Sequence, residues 1–303
     1  MNLKKKLVEG LHDKRILIQI WNDGRPELCS HCRNLRIVNS QKHLFLGGII
    51  LLSYPVKTTR EEKMSMIQKV KDRLLDTYGE QILAIGVYGS VGRNEEGPFS
   101  DIEMHVVTKH GFTLENYEFI YGKFKIELSV RQKSDFFKRA RLIDDSWSIK
   151  AGVFTGILPL FDPQGLFEEV KEMPMQVPES VIKETMREFM IWEPYETMGK
   201  IRNQYEEGNY HYLPMGARDL VWQTAKLIGL ANRHIYTTRA KTFEESLTLP
   251  YRPEGYRELA VLVMEGTLHD RETVYQHCEC LWTGLNEWYE ELGITYMETS
   301  LPF

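Results

Sequence analysis

Cysteine is scarce in this sequence. The four cysteines sit in two close pairs, Cys29/Cys32 and Cys278/Cys280, a spacing unlike a disulfide framework. No secretory leader precedes them, so a reducing cytoplasm is the expected compartment. Long hydrophobic runs are missing as well. The longest, Leu44 to Tyr54, is about 11 residues and includes two glycines, too short to span a bilayer, so no membrane partner is expected. Positive charge is not in excess: Lys+Arg number 38 against 43 Asp+Glu, a net charge of −5. That balance argues against a surface built to grip nucleic acid and would suit a polycationic substrate. Internal repeats, low-complexity tracts and H-x-x-x-H spacings are absent. His211, His234, His269 and His277 are scattered and read as structural or exposed.

What is present is a chain of 303 residues, 42% hydrophobic and 27% charged, enough for one large or two ordinary soluble domains with a real core. Its organising stretch is ILAIGVYGSVGRNEEGPFSDIEMHVV, from Ile82 to Val107. It reads as a strand, a Gly-Ser turn, a short acidic loop, then a second strand opening with Asp101-Ile102-Glu103. On an extended strand, side chains two positions apart point the same way, roughly 7 Å apart. Asp101 and Glu103 then share one face, while Ile102 and Met104 take the other. Hard carboxylate oxygens on a rigid element suit Mg²⁺, which binds through one or two carboxylates plus substrate phosphates. Upstream, Gly89 admits a close ligand, Ser90 offers a hydroxyl and an amide to phosphate oxygen, and Arg93 adds a forked cation. A phosphate grip followed by a metal grip is the equipment of nucleotidyl transfer.

Around this stretch the pattern alternates between helix and strand. Thr59 to Glu62 fits a capping box, and Met64, Ile67, Val70 and Leu74 form an apolar stripe behind it. Phe119 to Val130 suggests a hairpin turning at Gly122 into a third strand. Glu127, embedded there as K-I-E-L, is either solvent-facing or recruited by a metal. Lys133 to Trp147 reads as a helix and Ala151 to Phe161 as a buried apolar segment. Pro174 and Pro178 mark a boundary. Beyond it the pattern is helical, with helices expected over 214–232, 253–267 and 272–292. Ile182, Met186 and Phe189 lie on one stripe that continues as Glu193, Glu196 and Lys200, with a bend expected at Pro194. Glu196 and Lys200 are either an ordinary surface pair, worth a few tenths of a kcal/mol, or a face that meets a ligand. Cys278 falls in the apolar stripe of the last helix and reads as packing. In residues 1–57, Cys29-Ser30-His31-Cys32 with His43 could be half of a zinc site; the plainer reading is an appended segment whose Leu44–Leu52 strip packs on the main body.

Gly89-Ser90 followed by Asp101-x-Glu103 resembles the signature of the nucleotidyltransferase superfamily. The wider wording, AIGVYGSVGR…GPFSDIEM, closely resembles the aminoglycoside (kanamycin) nucleotidyltransferases, and the likeness runs from about Thr59 to Phe303. The expected fold class is α+β: a nucleotidyltransferase domain with a small mixed sheet and flanking helices over 58–175, then a helical bundle domain over 176–303. Residues 1–57 form an extension of unknown role. The resemblance implies that Mg²⁺ is held by Asp101, Glu103 and Glu127, the last as ligand or base. It implies ATP, or another nucleoside triphosphate, held by Gly89, Ser90 and Arg93. The segment Y-E-x-x-G-K-x-R-N is similar to the family's base-carrying helix, which makes Glu196 the general base and sets Lys200 near nucleotide or substrate oxygens. An amino sugar carries ammonium groups, so Glu118, Glu193 and Asp145 are candidate contacts to it. The implied reaction is transfer of AMP to an aminoglycoside hydroxyl, the 4′-hydroxyl in the family pattern, conferring antibiotic resistance. The implied assembly is a homodimer in which one subunit's helical part closes the other's site. Lys123 and Trp192 stand where kanamycin-modifying members carry acids, which leaves open another small molecule or a protein side chain as acceptor. A non-catalytic nucleotide-binding regulator is the remaining alternative, disfavoured because Ser90, Asp101, Glu103 and Glu196 are all retained.

Overall fold

The computed structural model describes residues 43–46, 49–52, 54–301 and 303. The chain separates into two units, Met1–Pro55 and Val56–Phe303. In the first, strands β1 (His43–Leu46) and β2 (Ile49–Leu52) pair antiparallel. The Cys29-Ser30-His31-Cys32 motif lies outside the described residues.

The second unit begins with helix α1 (Arg60–Tyr78), started by the expected capping box: Thr59 accepts from the Glu62 amide, and Glu62 accepts from the Thr59 amide. Strand β3 (Ile82–Val87) leads into the single-turn helix α2 (Gly89–Gly92), and β4 (Ile102–Thr108) returns antiparallel to it. Strands β5 (Tyr117–Tyr121) and β6 (Phe124–Gln132) form the expected hairpin around Gly122 and Lys123. The sheet runs in the order β5-β6-β4-β3-β7, with β6 parallel to β4 and β7 (Leu158–Phe161) antiparallel to β3.

Alternation along these strands gives the sheet two faces. Ile102, Met104, Ile126 and Leu128 bury on the side covered by Ile67 and Leu74 of α1. Ala84 and Val107 turn the other way, against Phe136 and Phe137 of α3 (Lys133–Ala140) and against Phe154 and Phe167. Each of the larger apolar side chains contributes roughly 1.5–3 kcal/mol relative to an exposed one. Two expectations need correcting here. Helix α3 stops at Ala140 rather than running to Trp147, because Asp144 instead accepts from the amide and hydroxyl of Ser146 and starts a separate short helix at Trp147. The apolar segment from Ala151 to Phe161 is not one buried run; it holds a short helix (Gly152–Thr155) and the half-exposed edge strand β7.

The C-terminal half is helical: α4 (Glu179–Trp192), α5 (Pro194–Glu206), α6 (Leu213–Ala231), α7 (Tyr256–Glu265) and α8 (Arg271–Glu291). Helix α6 buries most of its residues and is the centre against which α5, α7 and α8 pack. Cys278 is fully buried in that core, as its stripe implied, while Cys280 is exposed. Pro194 does more than bend a helix. Glu193 leaves helical geometry at φ −121° and ψ −66°, so α4 ends and α5 begins anew. No helix among the described residues is long and apolar enough to cross a membrane.

Candidate active site

The carboxylates gather at one end of the sheet because of strand register. Glu103 on β4 sits directly beside Glu127 on the parallel neighbour β6, as Ile102 sits beside Ile126 on the opposite face. Asp101 immediately precedes β4. Tyr88, between β3 and α2, donates its hydroxyl to Glu127 Oε1 at 3.0 Å. Burial first, and then the nearby Asp101 and Glu127 carboxylates, push the Glu103 pKa up to about 7. Burial and the neighbouring Glu127 and Glu103 carboxylates hold the Tyr88 phenol far above its usual range.

Gly89 is the close approach in this site. Its φ is +66°, a conformation that disfavours other residues, and a Cβ placed on it would lie 1.9 Å from Glu103 Oε2. The acid is therefore seated against the backbone of the Gly-Ser turn. Arg93 ends the same turn. Its Nε donates to Glu95 at 3.0 Å, and its Nη2 donates to the carbonyl of Thr237, also at 3.0 Å, across to the helical half. The loop between the turn and Asp101 is clamped by α1: Arg60 donates to Glu96 and to the Val91 carbonyl, and the fully buried Lys63 donates to the carbonyls of Thr58 and Gly97.

Asp101, Glu103 and Glu127 suit a hard divalent cation by chemistry: all donors are carboxylate oxygens, and burial first, then the neighbouring acids, raise the Glu103 pKa. Their present arrangement is not closed around a point; among the described residues no three His, Cys, Asp or Glu side chains converge in that way. Beside them, the Lys125 ammonium lies 3.0 Å from Asp101 Oδ2 and 2.9 Å from Glu118 Oε1. Glu118 thus lies beside the carboxylate cluster through Lys125.

The other candidate residues lie elsewhere. Asp145 and Glu193 line a groove of about 290 Å³ together with Asp144, Glu188 and Trp192. Asp145 pairs with Lys226, and Glu193 accepts from Gln223 at 3.0 Å. Glu196 and Lys200 face an open recess of about 500 Å³ beside Ile191, Trp192 and Tyr195. They pair with each other at 2.7 Å, both more than half exposed. No hydrogen bond or ion pair within the described residues joins Glu196 to Asp101, Glu103 or Glu127. Sequence reasoning passed over Tyr88, which directly precedes Gly89, and Lys125, whose two-residue spacing from Glu127 puts both on one side of β6.

The floor under the acids is His105. It is buried between the rings of Tyr88 and Phe154, at centroid distances of 4.0 and 5.6 Å, with Nε2 3.0 Å from the Val153 carbonyl. Burial pushes its pKa down to about 3. The unfolded chain takes up a proton here below about pH 6.5, whereas the folded chain does not until far lower, so stability falls as pH falls through that interval. Between pH 7 and pH 5 the expected loss from this group is roughly 2 kcal/mol. Urea titrations of wild type and His105→Gln at both pH values check it; the variant should lose less stability on acidification, and equal losses would contradict the assignment.

The KNTase C-terminal domain family model matches residues 164–295. The aminoglycoside nucleotidyltransferase (4′) of Staphylococcus aureus is 34% identical over 250 residues, covering 82% of this chain and 99% of that protein. A protein of the same name from a Bacillus species matches to the same extent. A nucleotidyltransferase-like protein from Exiguobacterium sibiricum aligns over 75% of each chain at 14% identity and a TM-score of 0.47, too distant to bear on the site. Identity at this level across nearly the whole length of two relatives has a plain consequence: the chain belongs to the aminoglycoside nucleotidyltransferase family and is a nucleotidyltransferase.

Proposed function

We propose that this enzyme transfers AMP from ATP to the 4′-hydroxyl of an aminoglycoside in an Mg²⁺-dependent reaction, acting in the cytoplasm as a homodimer and conferring resistance. The observation that carries the reading is the seating of Glu103 against Gly89, with Asp101 and Glu127 alongside. It brings carboxylates suited to a divalent cation up to the turn whose Ser90 and Arg93 hold the triphosphate. Asp101, Glu103 and Glu127 would hold the cation, which would supply charge neutralisation to the phosphates during transfer. Gly89 keeps the backbone open to the nucleotide. Glu196 accepts the proton of the attacking hydroxyl at its carboxylate, with Lys200 beside it near nucleotide or substrate oxygens.

Glu196 stands on an exposed face with Ile191, Trp192 and Tyr195 around it, and large exposed apolar groups of this kind favour a protein partner. We assign the base to the partner subunit for that reason: each site takes its acids from one copy and its Glu196 from the other. The ammonium groups of the acceptor are held by Glu193 and Asp145 in the acidic groove, with Glu118 near the metal acids. A second reading keeps the chemistry and changes the acceptor. It is favoured by Trp192, 74% exposed along that groove, an indole that offers no carboxylate to an ammonium group and suits a less cationic acceptor.

The test is pyrophosphate release from ATP and Mg²⁺ with a panel of purified aminoglycosides. Turnover should require a 4′-hydroxyl, and the 4′-deoxy members should be inert. Equal turnover with 4′-deoxy compounds would move the transfer to another hydroxyl, and tight ATP binding without turnover on any member would remove the aminoglycoside from the reading.

A further inference from the structure

Lys125 is the cation that the carboxylate cluster already owns. It lies on β6 two residues before Glu127, and the intervening Ile126 is buried on the opposite face. Its ammonium touches Asp101 Oδ2 at 3.0 Å and Glu118 Oε1 at 2.9 Å. Arg93, the other nearby cation, donates to Glu95 and to the Thr237 carbonyl rather than to these acids. The Lys125 side chain is 46% exposed, so its flexible stem is free to move the ammonium through water. Two properties follow. An oxygen of Asp101 that a divalent cation would use is occupied by a monovalent one. Releasing that oxygen does not strip the lysine of all its partners, because Glu118 keeps it.

We infer that Lys125 is a built-in counter-ion holding the place of the divalent cation in the nucleotide-free enzyme, and that its withdrawal onto Glu118 opens Asp101 to the metal. This rests on the assignment of Asp101, Glu103 and Glu127 as the metal acids. Its consequence is that the free enzyme binds divalent cations weakly, and that the metal enters with the nucleotide, whose phosphates supply the remaining oxygens.

The experiment titrates Mn²⁺ into nucleotide-free protein and follows unbound Mn²⁺ by electron paramagnetic resonance. It compares wild type, Lys125→Met, Lys123→Met, and Lys125→Met combined with Asp101→Asn, each first checked for fold by circular dichroism and thermal midpoint. Lys125→Gln serves if the methionine variant folds poorly. Removing Lys125 should tighten Mn²⁺ binding by about tenfold, since a repelling charge and a competitor go together. Lys123, which pairs with Glu62 instead, should matter little. Unchanged affinity in Lys125→Met overturns the inference, as does equal tightening in Lys123→Met, which would make the effect one of overall charge. In the double variant the gain should vanish; if the gain survives without the Asp101 carboxylate, the metal-acid assignment itself fails.

Discussion

Replacing Asp101 by Asn should abolish nucleotidyl transfer and leave the fold standing. Asp101 lies just ahead of β4, its side chain is 34% exposed, and its hydrogen-bond partner is Lys125. Exposed ion pairs of this kind are worth about 0–1 kcal/mol, so thermal stability should hardly change. The chemistry is another matter. The amide keeps the shape but not the charge, and a site that neutralises developing phosphate charge through a carboxylate-held cation loses that cation. The expected fall in kcat is about a thousandfold or more, equivalent to roughly 4 kcal/mol of barrier. Pyrophosphate release read beside circular dichroism checks it. Turnover within tenfold of wild type would remove Asp101 from the metal.

The second large effect is a recovery. Glu196→Gln should also be nearly inactive while binding ATP almost as wild type does, because in the proposed role the lost group accepts a proton and does not hold the nucleotide. If each site takes its acids from one copy and Glu196 from the other, mixing and re-equilibrating the two dead proteins makes mixed dimers in which one site carries both lesions and the other carries neither. An equal mixture then regains about a quarter of wild-type activity, since half the dimers are mixed and half their sites are intact. No recovery, with subunit exchange shown by tagged copies, would place Glu196 in the same copy as Asp101 or outside the chemistry.

Much of the local structure was readable in the residues themselves. The capping box at Thr59, the hairpin around Gly122 and the single-face placement of Glu103 against buried Ile102 and Met104 all follow from spacing. What could not be read was pairing between distant strands. The parallel register that sets Glu103 beside Glu127, and the antiparallel return of Leu158–Phe161 onto β3, depend on contacts across many residues, for which the sequence carries no local signal. The stripe from Ile182 through Glu193 to Lys200 was a different failure. It treated two helices as one, and the break at Pro194 puts Glu193 against Gln223 and leaves Glu196 in solvent. Lys125 was missed because a lysine two residues from a glutamate looks like a solvated strand edge until the third partner, Asp101, is in view.

The outermost strand, β5, has consequences for the behaviour of the protein in concentrated solution. All five of its residues are exposed, with Phe119, Ile120 and Tyr121 among them, and among the described residues β6 is its one neighbour in the sheet. An exposed strand edge of that composition invites pairing between molecules. Glu118 lies on that border and Lys125 on the strand beside it, so this ion pair places charge next to the exposed apolar side chains. Substitutions made there to study catalysis will change solubility too.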